Sequence, residues 1–331
     1  MNERSKARKT LVTGAGGFIG SHLSERLVKD GHTVRALVHY NARNDWGALE
    51  LLDKDVLREI EVVAGDVQDP FLVDRAVSDR EVVFHLASLI AIPYSYMAPQ
   101  SYVATNVAGA VNVMQACLRH GVGRVVHTST SECYGSARFV PMTEDHPLQG
   151  QSPYSASKIG ADMVAFSYWC SYQLPVATIR PFNTYGPRQS ARAVIPTMIV
   201  QSLTQGRLKL GALAPIRDLT YVDDTVEGFV RIAAADQAVG TVINVGSGQG
   251  ISIGDLATLV AEIAGARGGI EHDAERLRPE RSEVDRLVCD NGKAKSVLGW
   301  APTVRLRDGV ERTMAWIRDN LDRYKAELFN L

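Results

Sequence analysis

The sequence predicts an α/β protein built on a doubly wound parallel sheet, with a smaller α/β lobe toward the carboxyl end. Two observations predict it. In the first 180 residues, short β-branched runs alternate with longer stretches carrying apolar residues at helical spacing. A glycine-rich segment also lies between the first strand pattern and the first helical one, where such a sheet turns over a ligand. Strands are expected at Thr10–Val12, Val34–Val38, Glu61–Val63, Val82–Leu86, Arg124–Thr128 and Val176–Ile179, with helices at Phe18–Lys29, Gln100–Arg119 and Ser157–Tyr172. After Pro187 the alternation loosens. Helices are expected at Val194–Gln205, Asp223–Ala235, Ile253–Ala264 and Leu306–Asp322, and strands at Leu208–Leu210 and Val242–Val245. Residues 1–180 and 181–331 would then form two lobes, with the chain crossing back between them.

A length of 331 residues suits about two domains. With 45% hydrophobic and 22% charged residues, disordered, collagen-like and coiled-coil classes are excluded. Thirty-six Lys and Arg balance 37 Asp and Glu, and no basic stripe stands out, so no nucleic-acid partner is expected. Residues 1–9 are polar and basic, but the apolar run after them is too short for a signal-peptide core, and no run of 18 apolar residues occurs. A cytoplasmic protein with no membrane partner is the expectation. Cys117, Cys133, Cys170 and Cys289 are far apart, without a metal-ligand spacing, so no metal is expected and Cys133 reads as a space-filling thiol behind a functional loop.

Strand Thr10–Val12 runs into Gly14-Ala15-Gly16-Gly17-Phe18-Ile19-Gly20. Glycine lets the backbone turn sharply and approach a pyrophosphate, while the following helix offers free N–H groups to the anion. The position after a strand and before a helix marks a Rossmann-type dinucleotide site, with Gly14, Gly17, Phe18, Ile19 and Gly20 against the cofactor. An acid about 20 positions on would hold the ribose hydroxyls of NAD. None occurs between Asp30 and Asp45, and Arg35, His39 and Arg43 stand nearby. NAD and NADP therefore remain even. Asp66 and Val67 at the end of the third strand, and Leu86, Ala87 and Ser88 after the fourth, complete the expected cofactor wall.

Tyr154 and Lys158 are four apart and share a helix face, where an ammonium beside a phenol favours the phenolate and makes Tyr154 a candidate base. Thr130 and Glu132 follow the strand Arg124–Thr128, at the carboxyl edge of the sheet where such sites open.

With the glycine loop, His85-Leu86-Ala87, Asn106, Ser129-Thr130-Ser131-Glu132, Tyr154-x-x-x-Lys158, Arg180-Pro181-Phe182-Asn183-Thr184-Tyr185-Gly186-Pro187, Arg217-Asp218-Leu219-Thr220-Tyr221-Val222-Asp223-Asp224 and Lys293-Ala294…Leu298-Gly299-Trp300, the chain resembles the extended short-chain dehydrogenase/reductase family of nucleotide-sugar epimerases and dehydratases. The stretch Ile90–Tyr96 and the block from Pro147 to Pro196 look like 4,6-dehydratases acting on nucleotide-linked N-acetylglucosamine, of the legionaminic-acid-pathway type. The Ser-Thr-Ser-Glu segment also looks like GDP-mannose 4,6-dehydratase.

The resemblance implies that tightly bound NAD(P) is regenerated each turnover. It further implies that Tyr154 deprotonates the sugar O4, Thr130 bonds O4, Lys158 holds the ribose, Asn106 and Pro181 contact the cofactor, and Glu132 removes the C5 proton. Where many relatives carry Asp-Glu after the threonine, this chain has Ser131-Glu132, so a single carboxylate would serve as base and then as acid. On the substrate side it implies Ser95 and Tyr96 at the hexose and Asn183, Arg192, Arg217 and Arg278 at the nucleotide diphosphate, with Arg281 competing with Arg278. A C4 epimerase and a uronate decarboxylase stand as alternatives, and a non-catalytic NAD(P) sensor as a remote one. A homodimer through the long helices of the first lobe is also expected.

Overall fold

The structure is a computed structural model and describes residues 7–325 except Arg278, with nothing said of the side chains of Glu275 and Glu280. In chain order, the first layer comprises β1 (Lys9–Thr13), α1 (Phe18–Lys29), β2 (Thr33–His39), α2 (Lys54–Arg58), β3 (Ile60–Gly65), α3 (Pro70–Val77), β4 (Val82–His85), α4 (Ile92–Met97), α5 (Pro99–Tyr102), α6 (Gly109–Arg119), β5 (Arg124–Thr128), α7 (Pro153–Tyr172) and β6 (Val176–Pro181). There follow β7 (Asn183–Tyr185), α8 (Val194–Gln205), β8 (Leu208–Leu210), β9 (Ile216–Tyr221), α9 (Val222–Ala234), β10 (Val242–Val245), β11 (Gly250–Ser252), α10 (Ile253–Ala264), β12 (Ile270–His272), β13 (Arg286–Leu287), α11 (Gly292–Leu298) and α12 (Leu306–Asp319).

Seven strands form one parallel sheet in the order β10-β6-β5-β4-β1-β2-β3. Strand order reverses between β1 and β4, which leaves a crevice beyond their carboxyl ends. Helices cover both faces: Leu23 and Leu27 of α1 pack with Val226 and Phe229 of α9, while Val73, Val113, Met114, Cys117 and Ala165 of α3, α6 and α7 pack on the other. Burial on both faces explains why these strands read as unbroken apolar runs. The second lobe holds a small sheet, β11-β9-β13 with β7 paired to β9, and the pair β12-β8. Because β10 joins β6 at the edge of the large sheet, the chain returns to the first layer well after residue 181.

Two helices of the first lobe differ from expectation, and the last helix ends at Asp319 rather than Asp322. The predicted helix over 100–119 contains a π-helical turn at Val103–Ala108, whose extra residue no periodicity announces. The predicted helix at 157 begins at Pro153, because Ser152 and Ser155 cap it reciprocally: Ser152 Oγ accepts the Ser155 N–H at 3.1 Å and Ser155 Oγ accepts the Ser152 N–H at 3.0 Å. That earlier start puts Tyr154 in the first turn of α7.

Asp162, on the same face of α7, is buried beneath the crevice. Its carboxylate accepts from the Arg180 guanidinium on β6 at 2.8 Å, from Ser129 Oγ at 2.5 Å, and lies 3.0 Å from His127 Nε2 on β5. Arg180 also donates to Ser129 Oγ at 3.0 Å and stacks over the Tyr134 ring, 4.6 Å from its centroid. His127 and Arg180 hold the Asp162 carboxyl well below the usual carboxylate range despite its burial.

Replacing Asp162 with Asn leaves Arg180 charged and buried without its counter-ion, which should lower stability by about 3–5 kcal/mol, read as the urea midpoint at pH 7. The sign of the acid response follows: the folded carboxyl resists protonation, so as pH falls below about 4 the unfolded chain takes up the proton first and stability drops. The parent should lose stability there more steeply than Asp162→Asn. Equal urea midpoints at pH 7 would show that the cluster contributes nothing.

Candidate active site

One cleft of about 1060 Å³ runs along the carboxyl edge of the sheet into the second lobe. At one end it is walled by Gly14, Gly16, Gly17, Phe18, Ile19 and Gly20. Gly14 has φ +70°, and a Cβ there would sit 2.9 Å from the Ala87 amide nitrogen, so the loops after β1 and β4 meet backbone to backbone. Gly17 precedes α1 with no side-chain cap and no acid in the first turn, so the helix start is free to receive an anion. This cradle fits the pyrophosphate of a dinucleotide. Leu86, Ser88 and Pro181 also line it.

In the middle of the cleft stand Thr130, Ser131, Glu132, Tyr154 and Lys158. Thr130 ends the strand-following segment and starts a short 3-10 turn at Ser131–Tyr134, its Oγ1 accepting the Glu132 N–H at 3.3 Å. The same hydroxyl lies near enough to the Tyr154 phenol to favour its ionised form. Burial pushes the Tyr154 phenol above its ordinary value, and Cys133, Glu132 and Tyr102 add to the rise. Burial outweighs the depression expected from Lys158, so the phenol lies above its ordinary value rather than below it. The Lys158 ammonium instead donates to the Thr128 carbonyl at 2.6 Å, and its own pKa is lowered by burial, opposed by Asp162. Cys133 fills space behind the loop, its thiol pushed up to about 12 by burial.

On the second-lobe side, Tyr96, Asn183, Arg192 and Arg217 line the cleft. Asn183 is notable because its side-chain Nδ2 is buried with no hydrogen-bond partner among the described residues, as is Oε1 of Gln189 in the same wall. Tyr96 shares a 2.6 Å hydrogen bond with Ser282, and Arg217 pairs with Glu283 at 3.0 Å. Arg278 lies outside the described residues. Arg281 does not line the cleft, whereas Arg276, tied to Asp273 at 2.9 Å, does.

Several expected contacts are not brought to the cleft. Ser95 is fully buried and its hydroxyl donates to Ile92 O at 2.6 Å within α4, so it turns into the protein rather than toward a hexose. Asn106 is buried in the π-turn. Its amide is consumed by both backbone groups of Leu89, at 2.9 and 3.0 Å, and by Ser157 Oγ at 2.9 Å. It clamps the loop after β4 to α7 instead of lining the cleft. Asp66 Oδ1 accepts the Gln68 N–H at 2.9 Å, and Val67 packs against Gly109; neither is in the wall. Ala87 backs Gly14 from behind, its N–H donating to Thr13 Oγ1 at 3.0 Å. The Arg43 side chain is also off the wall, while His39 is on it. Asn41, Asp45, Trp46 and Gln189 line the cleft without having been singled out from the sequence, because loop residues carry no periodic signal.

The family model described as GDP-mannose 4,6 dehydratase matches residues 11–313. A UDP-glucose 4-epimerase of Mycolicibacterium smegmatis is 35% identical over 317 residues, covering 94% of this chain and 99% of the relative. A dTDP-glucose 4,6-dehydratase of Streptomyces griseus is 35% identical over 312 residues, covering 92% and 93%. Among solved structures, DesIV, a dTDP-glucose 4,6-dehydratase from Streptomyces venezuelae with NAD and TYD bound, aligns with a TM-score of 0.85 at 32% identity, covering 96% of this chain and 99% of that one. Pal from Bacillus thuringiensis aligns with a TM-score of 0.86 at 34% identity, covering 94% and 99%. A glycine cradle at the switch point, a Tyr-Lys helix face and a match along nearly the whole chain agree, and the chain belongs to the GDP-mannose 4,6 dehydratase family, within the short-chain dehydrogenase/reductase nucleotide-sugar dehydratases and epimerases.

Proposed function

We propose that this protein is an NAD(P)-dependent nucleotide-sugar 4,6-dehydratase that converts a nucleoside-diphosphate hexose, with UDP- or GDP-N-acetylglucosamine as the first candidates, to the 4-keto-6-deoxy sugar. The observation that carries the reading is the Glu132 carboxylate standing in the cleft beside Thr130 and Tyr154. When bound, the nicotinamide supplies a hydride acceptor for C4 and later a hydride donor for C6.

Tyr154 takes the proton from the sugar O4, and Thr130, beside the phenol in the same cleft, is placed to hold that oxygen. Since burial favours the neutral phenol, a nearby cation is needed. Lys158, one turn along α7 and in the same cleft, is the side chain we assign to that task. Once C4 is a ketone the C5 proton becomes acidic, and Glu132 removes it. The protonated carboxyl then hands the same proton to the C6 hydroxyl as water leaves, so one carboxylate balances both steps. Gly14 through Gly20 hold the cofactor diphosphate at the start of α1, while Asn183, Arg192 and Arg217 face the substrate diphosphate. The orphaned Asn183 amide supports this assignment.

An epimerase needs the ketone and the hydride return but no carboxylate, which would leave Glu132 without a task. A uronate decarboxylase would release carbon dioxide.

A second copy of the chain is the proposed partner. Val103, Val111, Met163, Phe166 and Tyr172 are exposed on the helical segments 99–119 and 153–172, with no charged side chain among them. No described helix is long and apolar enough to cross a membrane.

Incubated with nucleotide-linked N-acetylglucosamine, the protein should yield a product lighter by one water in mass spectra. Unchanged mass with inversion at C4 would establish an epimerase instead, and loss of carbon dioxide from a uronate a decarboxylase. Glu132→Gln should cut water loss by roughly 10²–10⁴-fold while hydride transfer from C4 continues, and elimination at the parental rate would remove Glu132 from the mechanism. In light scattering the parent should have the mass of a dimer and Phe166→Glu that of a monomer; a monomeric parent would end the dimer proposal.

A further inference from the structure

Beyond the end of β2 the cleft wall is made by a loop that folds back on the glycine turn. Asn41 organises it: Nδ2 donates to the Asp45 carbonyl at 2.7 Å, and Oδ1 accepts the Arg43 and Asp45 N–H groups at 3.0 and 3.2 Å. Gly47, at φ +67°, presses so closely that a Cβ there would lie 2.5 Å from the Gly16 carbonyl oxygen, and Ala48 N–H donates to that same oxygen at 2.8 Å. Asp45 Oδ1 accepts the Gly47 N–H at 2.6 Å. The loop is thereby tied to the phosphate turn, and His39, Asn41, Asp45 and Trp46 share one wall with Gly14, Gly16 and Gly17.

In a Rossmann-type site the adenosine ribose lies between the glycine turn and the end of the second strand, and a carboxylate there accepts its hydroxyls and repels a 2′-phosphate. Strand β2 itself ends in His39 and carries no acid. Of the three basic side chains that favoured a 2′-phosphate, His39 alone lines the cleft. Arg35 is paired with Glu61 at 2.9 Å and donates to the carbonyls of Ala76 and Ser78, the Arg43 side chain does not line the cleft, and His39 Nε2 faces Asp66 at 3.6 Å.

We infer that Asp45 replaces the missing strand-end acid, reading the ribose hydroxyls from the folded-back loop and making the protein select NAD over NADP. The inference rests on the proposed dinucleotide site in this cleft but not on the reaction carried out there.

The test is binding, not turnover. Purified protein is titrated with NAD⁺ and with NADP⁺ by tryptophan fluorescence, Trp46 lying in the wall, and the nucleotide released on denaturation is identified by mass. The parent should prefer NAD⁺ by on the order of tenfold or more and release NAD. Asp45→Asn, which keeps an acceptor for the Gly47 N–H, should shrink that preference by about tenfold, mainly through tighter NADP⁺. Equal or tighter NADP⁺ binding by the parent, with affinity lost on His39→Ala or Arg43→Ala, overturns the inference. So does an unchanged ratio in Asp45→Asn while both nucleotides bind. If neither nucleotide binds, the dinucleotide site itself falls, whatever the sugar chemistry proves to be.

Discussion

Asp162 holds a full negative charge in an interior that water does not reach, and separate elements converge to neutralise it. Arg180 comes from β6, His127 from β5, and Ser129 from the segment that leads to Thr130 and Glu132. A buried carboxylate this deep is tolerated only when its partners are held in place, so the pairing fixes how α7 sits against the sheet. Because Tyr154, Lys158 and Asp162 are spaced by four on one helix, locking the third residue also sets the first two relative to Thr130. Of its members only Ser129 reaches the cleft wall. The cluster positions the groups that line the cleft beside it.

The same burial that makes the cluster rigid shapes the cleft. Tyr154 is nearly inaccessible and its phenol is held neutral, so a proton leaves it only when positive charge is close at hand. Lys158 is kept in reach by the Thr128 carbonyl on one side and the Asp162 charge on the other. Although the formal charge is -1, the cleft gathers a free helix start, an Asn183 Nδ2 with no hydrogen-bond partner among the described residues and a few arginines, an arrangement suited to phosphate groups.

Much of the architecture was legible because its signals are local. The helices Phe18–Lys29, Val194–Gln205 and Ile253–Ala264 and the strands Leu208–Leu210 and Val242–Val245 have the bounds that apolar spacing indicates. The π-turn at Val103–Ala108 was not legible, since one extra backbone residue leaves no mark on composition. Where a side chain turns is harder still. Ser95 and Tyr96 are neighbours in a motif, yet α4 sends Ser95 inward and Tyr96 to the cleft. Asn106 sits in a family motif but spends its whole amide on Leu89 and Ser157.

By itself, the sequence determined the doubly wound class, the glycine turn between β1 and α1 and the grouping of Thr130, Glu132, Tyr154 and Lys158 at the carboxyl edge. These follow from periodicity, glycine placement and helix spacing, which act over a few residues. Tertiary structure alone decided which residues share the wall, because that depends on contacts between segments far apart in the chain. Asp45 is the clearest case: in sequence it lies too late to be the strand-end acid, and only the hydrogen bonds of Asn41 and the contact of Gly47 with Gly16 bring it back to the phosphate turn.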